Sequence, residues 1–296
     1  MSSMKKTRSE KIFDIFNYTI LVLLSICIIV PMLSVVGTSF VSAAEIGRRG
    51  QFILWPEEIV LDSYKLVFNS PNVWNGYMNT LFVVAVGTTS SMVMTILMAY
   101  PLSKKPLRGR GPVLAMVFFT MIFSGGTVPT FLVVKEFGLV DTRWALIIPG
   151  VMNTWTMLLM RNFFYSVPDA LEEAALLDGA NQLQILVRVY LPLSLSSVVT
   201  IGMFYGVGYW NAWWPGVIYL NTSKYQPIQK IIRTIVNAAS ASTTELASAM
   251  EDSTVLPPSH ALKCATIVVG TLPILCVYPF IQKYFVKGVM VGSVKG

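Results

Sequence analysis

The stretch VPDALEEAALLDGANQLQILVRVYLP, residues 167–192, sets four carboxylates, one glycine and one late proline between long apolar runs. Ser166 and Asp169 form an S-x-x-D capping pattern with Pro168 in the first turn, so a helix is expected from about Val167. Asp169, Glu172 and Glu173 then lie near its positive N-terminal end, which favours them. Ala170, Leu171, Ala174, Ala175 and Leu177 supply helix propensity and a smooth apolar side, and Gly179 is expected to end the helix in a left-handed conformation. A second helix should carry Leu183, Leu186, Val187 and Tyr190 on one face until Pro192 breaks or kinks it. Such a projection is a simple return loop, a lipid-surface helix or a docking element for another protein. A lipid-surface helix wants Lys and Arg on its polar face, whereas this one carries acids beside small alanines that let a partner approach closely. Docking fits best.

A second set of chemistry-bearing residues lies inside the apolar runs. Asn79 and Thr80 open one run; Ser124, Gly125, Gly126, Thr127 and Pro129 interrupt another. Asn153 and Trp155 lie in a third, and GYWNAWW, with Tyr209, Trp210 and Asn211, in a fourth. Two glycines followed by a proline free backbone groups, which a membrane tolerates only where neighbours or a watery cavity satisfy them. Trp and Tyr beside Asn can stack on a sugar face while the amide binds hydroxyls. The alternative is anchoring, since Trp213 and Trp214 stand where aromatics hold helices at an interface.

These residues need membrane helices to position them. The chain has 296 residues, 54% hydrophobic and 12% charged, about half the charged fraction of a soluble domain. Six uncharged apolar runs place spans near 15–38, 77–100, 112–134, 144–161, 196–220 and 264–284. The first run is too long for a signal peptide and reads as the first span. Thirteen of the 22 Lys and Arg residues fall in the N-terminal tail, the loop at 104–110, the flanks of the stretch 167–192 and the C-terminal tail. That side carries the whole net charge of +7, so both termini and this stretch are expected to be cytoplasmic, where the basic residues meet anionic lipid.

Several classes are excluded. The basic balance is topological, with no basic stripe of interleaved aromatics, so no nucleic-acid partner is expected. Cys27, Cys264 and Cys276 lie in spans without metal-ligand spacing, and no metal or cofactor is expected. His260, the only histidine, reads as a loop residue. The absence of a G-x-x-x-x-G-K-[ST] loop means that any ATP must be bound by another chain. Charge-free spans disfavour a secondary transporter, and no nucleophile, metal cluster or acid–base pair supports an integral membrane enzyme. A membrane scaffold subunit remains as the alternative from a different class.

The pattern E-A-A-x3-G-x9-V-x-L-P, from Glu173, Ala174 and Ala175 through Gly179 to Val189, Leu191 and Pro192, resembles the EAA signature of permease subunits of bacterial ATP-binding-cassette importers. Val189 stands where that signature has Ile. NTLFVVAVGTTSSMVMTILMAYPLSK (79–104) and PILCVYPFIQKYFVKGVMVGSVKG (273–296) are similar to the carbohydrate branch, the smaller maltose-system permease and the oligosaccharide permeases of Gram-positive bacteria. The resemblance implies an all-α, six-helix MetI-like permease fold in the bacterial cytoplasmic membrane. It implies a six-helix domain over 15–286 between cytoplasmic tails 1–14 and 287–296, a coupling loop at 162–193 and an external loop at 221–262. Glu173, Ala174, Ala175, Asp178, Gly179, Val189, Leu191 and Pro192 would couple to a separate ATPase dimer, which Lys287, Gly288, Gly292 and Ser293 would also approach. A homologous second permease, an external solute-binding protein and a sugar complete the implied partners.

Overall fold

The computed structural model describes residues 7–241 and 259–293, and among the described residues every regular element is helical. The chain forms two compact units, residues 1–70 with 234–271 and residues 71–233 with 272–296.

In the first unit, α1 (Arg8–Thr38) opens with a capping box in which Thr7 and Glu10 satisfy each other's backbone N–H. Beyond it, α2 (Ala43–Arg49) and α3 (Asp62–Asn69) are tied down by hydrogen bonds and by the buried Val41, Ile53 and Val67. The Thr38 hydroxyl lies 3.3 Å from the Ile53 carbonyl, Ser39 meets the Tyr64 hydroxyl at 2.7 Å, and the buried Glu45 holds Arg49 at 2.7 Å.

The second unit is built on α4 (Pro71–Ser103), α5 (Arg110–Ile122), α6 (Thr127–Glu136), α7 (Thr154–Tyr165) and α11 (Leu195–Trp210). Between lipid-exposed helices there is little hydrophobic drive, so close packing must come from small residues and interhelical hydrogen bonds. α4 supplies both. Gly87, Ser91, Thr95 and Ala99, spaced by four, are among the buried residues of α4. Ser91 hydrogen-bonds Tyr209 at 2.9 Å and Thr95 hydrogen-bonds Tyr205 at 2.8 Å, both on α11. Gly87 faces the Tyr209 ring so closely that a Cβ would stand 2.8 Å from its Cζ.

Three helices are long and apolar enough to cross a bilayer: Ser9–Thr38, Pro71–Ser103 and His260–Pro279. Among the described residues the number is up to five if each of two bent pairs counts as one span, Arg110–Ile122 with Thr127–Glu136 at 111° and Gln182–Leu193 with Leu195–Trp210 at 86°. The span expected at 144–161 is not a continuous helix. Residues Arg143–Leu146 and Ile148–Gly150 form 3-10 turns, and α7 alone is 12 residues, about 18 Å long. Pro149 and Gly150 interrupt α-helical hydrogen bonding there. The span expected at 196–220 likewise ends at Trp210, and α12 (Trp214–Tyr219) follows after a break. The Gly125–Gly126 interruption is a sharp turn with Gly126 at φ +84°.

The spacing of Ile228, Ile231, Ile232 and Ile235 predicts an amphipathic helix; it is α13 (Ile228–Ala241), and all four isoleucines are buried. The small, polar stretch NAASASTTELASAMEDST (237–254), whose composition predicts flexibility, belongs to α13 through Ala241, and its remainder lies outside the described residues.

Gly87→Val should force the Tyr209 ring aside, at a cost of about 1–3 kcal/mol. A thermal melt of the protein in detergent should show a clear drop. Gly206→Ala, whose Cβ would meet Thr88 Oγ1 at an ordinary 3.7 Å, should melt near the wild type.

Candidate functional site

The charged loop begins two residues later than the capping pattern suggests. α8 runs Asp169–Leu177 with Pro168 as its N-cap and no side-chain cap. The Ser166 hydroxyl instead donates to the Phe163 carbonyl at 2.8 Å, closing α7, because that acceptor lies in the preceding turn. The helix does end at Gly179, with φ +80°. Gly179 N donates to Leu176 O and Ala180 N to Ala175 O, each at 3.0 Å, the paired bonds of a Schellman motif. Asn181 and Gln184 then form a capping box that starts α9 (Gln182–Ile185).

The second helix buries a different face from the one its spacing predicts. Ile185, Leu186 and Tyr190 are buried, while Leu183 and Val187 are more than half exposed. The cause is a wide π-helical turn over Leu186–Tyr190, in which Leu191 N donates to Leu186 O. Pro192 has no N–H to give Arg188, which favours that wider turn. After a last turn, α10 (Leu191–Leu193), the chain bends by 86° into α11.

α8 presents two faces. Ala170, Glu173, Ala174 and Leu177 are exposed, and Leu177 reaches 89%. Asp178 and Gly179 are exposed beside them. On the other face Ala175 packs on the core of the second unit, as do Val189 and Leu191 from the following turns, while Pro192 is exposed.

The inward carboxylate is Glu172. One of its oxygens accepts from both Lys104 Nζ and the Tyr190 hydroxyl, the latter at 2.9 Å. Lys104 and Glu172 expose only 15% and 17% of their side chains. The ammonium also lies 3.8 Å from the Tyr190 ring centroid and 4.4 Å from that of Tyr100, so two ring faces and one carboxylate surround it. Burial pulls the Lys104 amine below its usual range, and the hydrogen bond to Glu172 opposes that pull. The Tyr100 hydroxyl donates to Gln182 Oε1 at 2.8 Å, and Lys105 meets Asp169 at 3.3 Å. These residues line a groove of about 820 Å³ beside α8. This tie between the end of α4, α8 and the π turn was missed from sequence, because its partners lie 68 and 18 residues apart. The hint available was a basic loop at 104–110 without an acid of its own.

A second cavity, about 630 Å³, lies among α6, α7, α11 and the 3-10 turns. Asn153, Trp155 and Tyr209 line it, joined by Thr156, Phe204 and Tyr205, and no charged residue does. Tyr205 is its hydrogen-bonding hub: its hydroxyl accepts from Asn153 N at 3.0 Å and Thr156 Oγ1 at 2.7 Å, besides its bond with Thr95. Trp155 is half exposed and lies 5.6 Å from the Phe204 ring. The remaining candidates stand elsewhere. Asn79 is buried, donates to the carbonyls of Lys224 and Gln226 at 2.8 and 3.3 Å, and accepts from Arg143 Nε at 2.8 Å. Gly125, Gly126 and Thr127 are exposed at the 111° turn, Trp210 is buried beside Tyr77, and Asn211 is exposed where α11 ends. The backbone at Lys287, Gly288, Gly292 and Ser293 continues α14 (Ser259–Ser293), but these side chains lie outside the described residues.

Residues 95–291 match the family described as binding-protein-dependent transport system inner membrane component. The chain belongs to this family. It is 42% identical, over 97% of its length and 99% of the relative, to the polygalacturonan/rhamnogalacturonan transport system permease protein YtcP of Bacillus subtilis (strain 168). It is 39% identical to Protein LplC of the same organism, over 99% of this chain and 98% of that one. Among solved structures it is similar to a chain of a bacterial ABC transporter involved in the import of the acidic polysaccharide alginate, with 32% identity, TM-score 0.86, and coverage of 96% of this chain and 100% of the other. The chain is thus a membrane permease subunit of the carbohydrate-importer type with a MetI-like fold.

Glu172→Gln should leave Lys104 half-buried without its counter-charge and lower the melting temperature. Glu172→Leu with Lys104→Met, which removes both charges, should recover most of the loss. A double-mutant cycle on thermal melts should return a coupling on the order of 1 kcal/mol.

Proposed function

We propose that this chain forms one half of the translocation pathway of an ATP-driven, binding-protein-dependent oligosaccharide importer, and that the exposed face of α8 seats in a separate ATPase. The observation that carries this reading is the asymmetry of α8. Its Glu172 face is tied to the permease body, while Glu173, Ala174 and Leu177 project an acid and a large apolar side chain into the open. Leu177, 89% exposed beside the exposed Ala174 and Glu173, gives that face an apolar centre with an acid at its side, which a partner groove can cover. Asp178 and Gly179 shape the end of that face, and Val189, Leu191 and Pro192 hold the following turns.

In this arrangement the chain crosses the cytoplasmic membrane six times, the fourth time through the 3-10 turns and α7, with both termini and the loop 162–193 cytoplasmic. The tail from Lys287 through Ser293 approaches the ATPase dimer, which hydrolyses the ATP. A homologous second permease closes the pathway, and an external solute-binding protein delivers the sugar near the loop 221–262. The uncharged cavity at Asn153, Trp155, Tyr205 and Tyr209 is this chain's wall of the pathway. Trp155 offers a ring face to a sugar and the neighbouring hydroxyls offer exchangeable hydrogen bonds. The relatives named for polygalacturonan/rhamnogalacturonan and for alginate support fragments of such polymers as the substrate class.

In proteoliposomes holding the full complex, Gly179→Val should abolish most sugar uptake while membrane insertion stays intact, because a β-branched residue is strained at φ +80°. Uptake near the wild type would sink the coupling reading. Glu173→Lys should weaken retention of the ATPase on co-purification. Trp155→Ala should lower sugar uptake several-fold while solute-independent ATP hydrolysis is kept; unchanged uptake would remove Trp155 from the pathway.

A further inference from the structure

At the end of α4, two arginines from different helices converge on one carbonyl. Arg110 Nε, on the first turn of α5, donates to Leu102 O at 3.1 Å, and Arg161 Nε, on α7, donates to the same oxygen at 3.0 Å. Both guanidinium carbons lie 5.7 Å from the centroid of the Tyr165 ring, near enough to each other to interact as like charges. Both side chains are half-buried, and the Leu102 side is buried. Among the described residues neither arginine has an ion-pair partner; the remaining polar contact of Arg161 is the neutral amide of Asn162 at 3.1 Å. The two nearby carboxylates are already engaged, Glu172 by Lys104 and Asp169 by Lys105. Arg108, exposed in the same acid-free loop, adds a third positive charge.

Capping alone does not account for this. Leu102 O is one of the last carbonyls of α4 and needs a donor, and a cation there is favourable. But a helix C-terminus offers only about half a negative charge, against two full positive ones. Bringing two partly desolvated guanidinium groups together is unfavourable unless an anion joins them, and arginine's planar fork matches phosphate oxygens two at a time. The anion's source follows from the surroundings. α4, α5 and α7 all end or begin at this level; Val113 and Met116, on the next turns of α5, are exposed apolar residues; and Tyr165 is a half-exposed aromatic of the kind found at headgroup depth. A ligand here has its charge against arginines and its chains against α5.

We propose that Arg110 and Arg161 form a binding site for the phosphate of one anionic phospholipid, with Arg108 reinforcing it and Tyr165 flanking the headgroup. The bound lipid removes the repulsion between the two arginines and so braces the junction of α4, α5 and α7 from which the Lys104–Glu172 tie departs. The proposal rests on the reading of these helices as membrane crossings.

The test uses the intact complex in phosphatidylcholine nanodiscs, with and without phosphatidylglycerol, and reads the melting temperature. Wild type should gain several degrees with phosphatidylglycerol, and the gain should shrink at high salt. Arg110→Gln with Arg161→Gln should lose that increment, whatever its own melting temperature, whereas Arg110→Lys with Arg161→Lys should keep part of it. An equal increment in wild type and the glutamine variant would overturn the site. So would an equal gain from soluble glycerophosphate, which would assign the pocket to a free anion. Dissociation of another subunit from the glutamine variant, with no lipid-dependent increment in the wild type, would assign the arginines to a partner's carboxylate. Failure of the wild type to be retained in nanodiscs would instead remove the membrane reading beneath the proposal.

Discussion

A charged helix cannot enter the bilayer, yet α8 is joined to helices that are apolar enough to lie in it. The bond that reconciles these demands is Glu172 to Lys104, a half-buried pair at the end of the longest helix of the second unit. Its energy alone is modest, because desolvation offsets much of the Coulombic gain. Its geometric effect is larger. Tyr190 shares the same carboxylate oxygen and Tyr100 shares the same ammonium, so α4, α8 and the π turn are fixed together by one cluster. With that face of α8 committed, the opposite face is left free to dock.

The same helix reaches the cavity. From Lys104, the small-residue face of α4 runs back through Thr95 and Ser91, whose hydroxyls meet Tyr205 and Tyr209. Those two tyrosines line the uncharged cavity. The proposed displacement of α8 thus has a continuous physical route to the cavity, through a half-buried ion pair, one continuous helix and two hydroxyl contacts. Contiguity of this kind is what coupling between sites requires, and it becomes a mechanism once both sites are shown to bias the same element.

Much of this was legible in the residues. Hydropathy showed a helical membrane protein, the EAA pattern pointed to the family, and Gly179 was read correctly as a left-handed stop. What was misread turns on hydrogen bonding, near and far, that neither hydropathy nor a fixed helical period encodes. Ser166 looked like a cap but closes the preceding helix, and the face of residues 183–190 was rotated by a π turn that a 3.6-residue period does not encode. The span at 144–161 read as helix by hydropathy alone, although Pro149 and Gly150 stood in the middle of it. Asn79 looked like a lumen amide but ties carbonyls 145 and 147 residues away. The spacing of Gly87, Ser91, Thr95 and Ala99 was visible from the start and passed unread as a packing face.

The claim on which the account stands is that α8 docks through its exposed side. Single cysteines at Leu177 and at Ala175, in an otherwise cysteine-free chain co-expressed with its ATPase, test it by bifunctional maleimide crosslinking in the purified complex. The account predicts that Leu177→Cys links to the ATPase chain in high yield while Ala175→Cys, packed against the permease core, does not. Equal yields from both positions, or no link from Leu177→Cys in a complex that hydrolyses ATP, would contradict it.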